Sequence, residues 1–281
     1  MALLVLPLLA TAQAPSGGVP AGLPENPQDL VRQVVANELA PRPRPLLTYR
    51  YTRVRPDRKE VRQMVETEQI LLGRIVSVNG SPLTAEQTAQ EDLRLQRLVN
   101  DPEELRAKQK EQAEETERIR KVIRALPDGF LYQYGGVHSG KEGEFVVLNF
   151  RPNPNFNPPS RETQAFHGMA GSMQISLPAR RLTRLEANLI QDVSFGWGIL
   201  GKLHEGGEFL IEQIPVEGGR WMIRRMVLNF TGRVLLFKTL KINQEQFTSD
   251  YQPVLGMSVP QGIDFLKRAD SQSAAAFGAR K

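Results

Sequence analysis

Three histidines, His138, His167 and His204, are the side chains of this sequence best suited to acid–base or metal chemistry, and their spacing serves neither. They lie in three separate segments. None forms the H-x-x-x-H or H-E-x-x-H pair that brings two imidazoles to one face of a helix around zinc. "HEGGE" at His204 has the first histidine and lacks the second. There is no cysteine, which excludes disulfides, Cys-ligated zinc, a thiol nucleophile and a lipid anchor on an N-terminal cysteine. "GMAGS" at Gly168 does not match the G-x-S-x-G nucleophile elbow, and no P-loop occurs. Gly196, Gly198 and Gly201 have G-x-G-x-x-G spacing, but no helix start follows them and no βαβ unit surrounds them. They read as a bend or bulge in a long sheet. Asn79-Gly80-Ser81 and Asn229-Phe230-Thr231 match the glycan acceptor triplet; the first is followed by Pro82 and the second sits in a predicted strand. The acidic residues are scattered, with no pair to nominate. The sequence therefore predicts no catalytic residue, no metal and no cofactor.

What the chain does offer is a repeated apolar alternation. Met169, Met173, Ile175 and Leu177 fall on one face of a predicted strand, as do Leu185, Ala187, Leu189, Val193 and Phe195. Met222, Met226, Leu228 and Phe230 form the next such set, followed by Val234, Leu236, Leu240 and Ile242. Polar residues such as Arg184, Glu186 and Arg225 take the other face. Strands recur every ten to fourteen residues or so from Phe166 to Ile242, with "EGGRW" and "FTGRV" as hairpin corners, which predicts an antiparallel meander. A sheet with one continuous apolar face must cover it. Two readings stay open. The face is a packed core, or part of it lines a cavity, where flexible and polarizable methionine suits an adaptable apolar surface. On the second reading the ligand-facing residues are Met169, Met173, Leu185, Leu189, Phe195, Met222, Met226, Leu228, Phe230 and Leu236.

The elements ahead of the meander have clear punctuation. Leu30, Val31, Val34, Val35 and Leu39 recur at helical spacing after Asp29, and "PRPRP" from Pro41 stops that helix. Leu46 to Arg55, Val61 to Leu72 and "GRIVSV" read as strands. Asn79-Gly80 is then a corner, and Thr84 with Gln87 makes a capping box. The helical insertion runs over 84–126 with a joint at Asn100, where Asp101-Pro102 starts afresh. Its middle, "KQKEQAEETER", is charged and solvated, with four-apart pairs such as Lys110–Glu114. Its end carries the stripe Ile119, Val122, Ile123 and Leu126 before Pro127-Asp128-Gly129 terminates it.

The chain of 281 residues has 36 Lys and Arg against 31 Asp and Glu. That mild excess suits an anionic membrane surface or an acidic partner, and no base-stacking or phosphate-cradling motif accompanies it to suggest nucleic acid. "MALLVLPLLATAQA" has a short apolar core followed by Ala-x-Ala, as in a cleavable export signal, though no Lys or Arg precedes the core. It is too short to span a bilayer. The expected organisation is a signal at 1–14, a flexible linker at 15–28, one domain at 29–255 and a loosely ordered tail at 256–281.

The order of a cleaved signal, a short helix, long strands, a helical insertion and a meander resembles the superfamily of periplasmic lipoprotein carriers and outer-membrane lipoprotein-sorting proteins. "VNGSPLTAEQ" before a charged helix, and later "FHGMAGSMQISLPARRLTRLEANL", are similar to exported bacterial proteins of that type. The resemblance covers roughly Asp29 to Tyr251. It implies an α+β, mainly antiparallel fold: an incomplete (half) β-barrel with helices covering the concave face, and a cavity for lipid acyl chains. It implies a non-enzymatic periplasmic protein whose partner is a lipid or a lipoprotein acyl chain. The alternative is a structural or regulatory module with a fully packed core, whose partner surface is the solvated helix from Leu105 to Arg118.

Overall fold

The computed structural model describes residues 22–41, 45–140, 143–195, 201–234 and 238–278, so the signal expected at 1–14, Gly196 and Gly198 of the glycine run and the candidate Leu236 lie outside the described residues. Asn26 caps α1 (Pro27–Leu39), its side chain accepting the Gln28 N–H at 3.0 Å. Strands β1 (Leu46–Arg55), β2 (Arg58–Glu66), β3 (Leu71–Val78) and β4 (Ser81–Pro82) follow as hairpins. Asn79 and Gly80 have φ of 52° and 83° between β3 and β4. Positive φ at both central positions is what a two-residue primed turn demands and what Asn-Gly tolerates. The Asn79 side chain also accepts the Lys59 N–H at 2.7 Å, so the corner is tied to the neighbouring hairpin.

Both halves of the Thr84–Gln87 capping box form at the start of α2 (Ala85–Asn100). Asp101 caps α3 (Pro102–Gly129), accepting from the Glu103 and Glu104 N–H groups. The expected stop at Pro127 is corrected: α3 runs through it to Gly129. The terminal carbonyls find donors, since the Tyr132 hydroxyl donates to Leu126 at 2.6 Å and the Gln28 side chain to Pro127. On the solvated middle of α3 most ion pairs are three apart, as in Lys108–Glu111 at 2.7 Å, while Lys110–Glu114 is four apart at 3.9 Å.

The remaining elements are β5 (Phe130–Gly140), β6 (Gly143–Pro152), the short α4 (Arg161–Gln164), β7 (Met169–Ser176), β8 (Arg181–Leu189), β9 (Val193–Phe195), β10 (Gly201–Leu203), β11 (Glu208–Val216), β12 (Arg220–Val234), β13 (Lys238–Val254) and α5 (Val259–Gly278). The sheet order is β4-β3-β2-β1-β13-β12-β11-β8-β7-β6-β5, with β9 and β10 attached beside β12. Its ladders are antiparallel and its two ends do not pair, so the sheet is an open half-barrel. Glycine permits the closest strand approach at Gly171, where a Cβ would collide with the Glu186 carbonyl of β8.

Two apolar cores hold this sheet. The larger packs Leu30, Val31 and Val34 of α1 and Ala125 of α3 against Val146, Leu148, Met173, Ile175, Leu185 and Leu189. The second joins Leu95 and Leu98 of α2 with Val259, Ile263 and Leu266 of α5, over Val65 and Leu72 of β2 and β3. Residues 259–278, expected within the loose tail, are therefore helical, and the helix docks through Val259, Ile263 and Leu266. Val259, Ile263 and Leu266 recur at helical spacing, and Gly262 brings the helix close to Thr67, Leu72 and Val65.

The edge at β3 is plugged by side chains. Gln112 of α3 accepts the Leu71 N–H at 2.9 Å and donates to the Leu71 carbonyl at 2.8 Å, standing in for a partner strand. Glu91 of α2 accepts the Ile75 N–H at 2.9 Å, and Arg94 donates to the Gly73 carbonyl at 2.6 Å. Burial raises the Glu91 carboxyl, but bonds from Arg94 and the Ile75 N–H, with the Arg94 charge, outweigh it and hold it below the usual carboxylate range. Glu91→Ala should cost roughly 1–3 kcal/mol at neutral pH, because it leaves a part-buried donor unpaired. The contribution of a carboxyl lowered in the folded state is complete above its unfolded value and lost as pH falls through the folded one. Urea unfolding of wild type and Glu91→Ala should therefore converge on acidification, and a pH-independent gap would contradict this role.

Candidate functional site

The site is built from one face of the antiparallel ladder. Starting at the packed end, Leu148 of β6 lies opposite Met173 of β7, Met173 opposite Leu185 of β8, and Leu185 opposite Ile211 of β11. Ile211 faces Met226 of β12, Met226 faces Gln246 of β13, Gln246 faces Arg53 of β1, and Arg53 faces Glu60 of β2. Directly opposed residues share a face, so all of these side chains project from the inner side of the sheet. Along this row the chemistry changes in one direction. Leu148, Met173 and Leu185 are buried, Ile211 and Met226 are half-buried, and the row then passes through an amide to an arginine and a carboxylate. A second row repeats the trend, from Ala187 through Phe209 and Leu228 to Gln244.

The helices cover the two ends of the sheet. α1 and the end of α3 pack at β5 and β8, and α5 and α2 pack at β2 and β3. At β2 the covered residue is Val65, whose neighbour Met64 points the other way, toward Tyr49 and the inner row. The inner surface of β11, β12, β13 and β1 thus lies beyond the end that α1 and α3 pack, while α2 and α5 pack on the opposite face at β2 and β3.

Of the residues nominated from the sequence, Met169, Met173, Leu185 and Leu189 are core, at 9%, 2%, 7% and 1% exposure. Phe195 and Phe230 pack partly buried against that core. Met226 and Leu228 are half-buried on the inner strip. The alternation that groups Met222 with them is corrected. Met226 pairs with Ile211 and Met222 with Ile214, three residues apart on β11 and so on opposite faces. A register shift at Glu212/Gln213, which takes up Arg224, causes the reversal. Sequence reasoning missed Ile211 and Phe209 on the strip, although β11 alternates Phe209, Ile211 and Gln213 much as its neighbours do.

The outer face of the same strands is an ionic lattice. Arg184 pairs with Glu212 and with Glu186 at 2.7 Å, Arg224 with Glu212 at 3.1 Å, and Arg225 with Glu245 at 2.7 Å. At one end of the inner face Glu66 takes both terminal nitrogens of Arg220 and the Leu47 N–H at 2.9 Å, which ties β12 to β1 and β2. Burial, followed by the Glu66 charge, pushes the Tyr49 hydroxyl well above its usual range beside this pair. Between α3 and the β2–β3 hairpin lies a cleft of ≈460 Å³ lined by Glu66, Ile70, Leu71, Gln112, Thr116 and Arg120 among others.

Among the described residues no cluster of three or more His, Asp or Glu could hold a metal. His204 has Asp192 at 3.7 Å, and Lys202 and the Glu205 N–H hold that exposed carboxylate down at about 2. Among the described residues no helix is long and apolar enough to cross a membrane.

No protein-family model matches the chain, and no curated protein matches it. Solved structures similar to it include a domain described as an outer membrane lipoprotein-sorting protein from Vibrio parahaemolyticus, at 11% identity and TM-score 0.31, covering 86% of this chain and 97% of that one. A DUF1329 family protein from Desulfovibrio piger is similar at 10% identity and TM-score 0.27, covering 82% and 93%. A LolA superfamily protein from Nitrosomonas europaea is similar at 8% identity and TM-score 0.26, covering 84% and 96%.

The two parts of the nominated set should respond differently to truncation. Met173→Ala removes a fully packed side chain and should cost about 2–5 kcal/mol in urea unfolding. Met226→Ala should cost less than half as much, because water already reaches it. Equal losses would mean that the strip is sealed core.

Proposed function

We propose that this chain is a non-catalytic, exported binding protein that holds an acyl chain of a lipid or lipoprotein, or a ligand of similar apolar character. The observation that carries the reading is the strip formed by Phe209, Ile211, Met226 and Leu228, which continues the inner core yet stays half-buried beyond the end that α1 and α3 pack. An apolar surface of this kind gains about 25 cal/mol per Å² when a ligand removes it from water. Methionine and leucine side chains repack around chains of different length at small cost. The leader-like N-terminus supports placement outside the cytoplasm, and the mild positive charge supports approach to anionic membrane surfaces.

A second reading has its own observation. Met169, Met173, Leu185 and Leu189 are sealed, so the β6–β8 half of the face is core, as expected of a structural module whose partner binds elsewhere, such as the solvated middle of α3.

Native mass spectrometry of protein purified from the envelope, with uptake of an apolar dye in competition with fatty acids, separates the two. Carrier function predicts bound lipid and dye uptake, and Met226→Lys with Leu228→Lys should reduce uptake at least about tenfold, the cost of placing charge on the apolar strip. Absence of both lipid and dye uptake would reject the carrier reading and leave the module.

A further inference from the structure

The polar end of the inner row is as informative as its apolar end. On β1 and β2 the inner face presents Arg53, Arg55, Arg58 and Arg62 around a single carboxylate, Glu60. Glu60 is buried and accepts from Arg58 at 3.0 Å and Arg62 at 2.6 Å. Burial raises its pKa, and the bonds and charges of Arg62 and Arg58 outweigh that and leave it lowered. Asp57 sits in the connecting turn, and the nearby Glu91 is engaged by Arg94 and the Ile75 N–H. Positive charge is therefore in excess here. Arg53 bonds only through Nε, to the Tyr51 hydroxyl at 3.1 Å, with its guanidinium 5.6 Å from the Tyr51 ring centroid. Among the described residues its terminal nitrogens have no hydrogen-bond partner, and Arg55 has neither a side-chain hydrogen bond nor an ion pair. Both face the side that carries Met226 and Leu228, with only the Gln244 and Gln246 strand between.

We propose that this arginine group receives the anionic head of an amphiphile whose acyl chain lies on the Phe209–Leu228 strip, so that the ligand class is a single-chain amphiphile ending in carboxylate or phosphate. The inference rests on the acyl-binding reading above and adds the head. Two strand spacings, about 10 Å, separate the apolar strip from Arg53, which a short amphiphile spans. Guanidinium presents paired N–H donors that match both carboxylate and phosphate oxygens, and it is more weakly hydrated than an ammonium group, so engaging it costs less desolvation. Charge complementarity picks this occupant over a neutral or cationic one. A cation would meet the surplus of guanidinium groups, and a neutral glyceride would leave them as they are.

The test is calorimetric titration of the full chain, below micellar concentrations, with three amphiphiles of one chain length: dodecanoate, dodecyl phosphate and monododecanoylglycerol. The expected result is that one or both anions bind about tenfold or more tighter than the glyceride, as charge-assisted hydrogen bonds give. Dodecanoate against dodecyl phosphate then tells a fatty-acid from a phosphate head. In the double variant Arg53→Gln, Arg55→Gln, the anion preference should fall to within about threefold, while glyceride affinity and melting temperature stay unchanged. The wild-type preference should also shrink as salt rises, because exposed charges are screened; that measurement stands by itself should the variant not fold. Equal binding of anions and glyceride by wild type overturns the head site and leaves acyl binding intact. Retention of the full preference in a folded double variant, or a preference insensitive to salt, overturns the assignment to these arginines. Failure of all three to bind overturns the acyl-binding reading itself.

Discussion

An antiparallel sheet that does not close on itself has two bare edges and one apolar face to protect, and much of this molecule is an answer to that constraint. α3 meets both demands. Its 28 residues, about 42 Å at the helical rise, run from the β3 edge, where Gln112 bonds Leu71, into the first residue of β5 at the other end of the strand order. The helix thereby ties together two edges that the ladder leaves unpaired. Its charged middle follows from that position. A segment that bridges edges has little sheet beneath it to bury apolar residues against, so it is stabilised by capping at Asp101, by short-range ion pairs and by its docked end at Ala125.

Continuous register turns local residue choice into a gradient. Each opposed pair puts its two side chains on the same side of the sheet, so Leu148, Met173, Leu185, Ile211, Met226, Gln246, Arg53 and Glu60 form one inner row although they come from eight strands. Cover is not uniform along it. Helices seal the β6–β8 end, and the β2–β3 end is covered on the opposite side through Val65 and Leu72. A half-buried apolar strip beside an excess of guanidinium groups is what remains between them. Hydrophobic area and charge thus share one face of the sheet, with β13 and its Gln244 and Gln246 between them.

The legible parts of the fold were those with local causes. Asn79-Gly80, the Thr84–Gln87 box, the Asp101 start and the alternation of β7 and β8 each depend on neighbouring residues, and each is present in the structure. The half-barrel came from the resemblance in element order, since no local pattern encodes whether a sheet closes. α5 escaped notice because its stability comes from docking on β2 and β3, a contact between segments some 200 residues apart in the chain. The polar half of the inner face escaped for a related reason. Arg53 and Arg62 read in sequence as ordinary strand charges and Glu60 falls between the two predicted strands, and only the pairing of β1 with β13 sets them on the face that holds Met226.

Met222 shows how one residue decides such an assignment. Period-two counting from Met226 places it on the apolar strip, and counting would be right in an unbroken strand. Arg224 is the interruption. Arg224 and Arg225 lie against the single residue Glu212 on the outer side, where Arg224 pairs with Glu212 and Arg225 with Glu245. Two successive arginines directed to one face require a bulge, and the bulge turns every residue before it over. Ile223 therefore takes the inner position and Met222 the outer one, opposite Ile214. The sequence signal was the Arg-Arg pair itself: in a strand whose other face is apolar, two adjacent charges cannot both reach water without breaking the period.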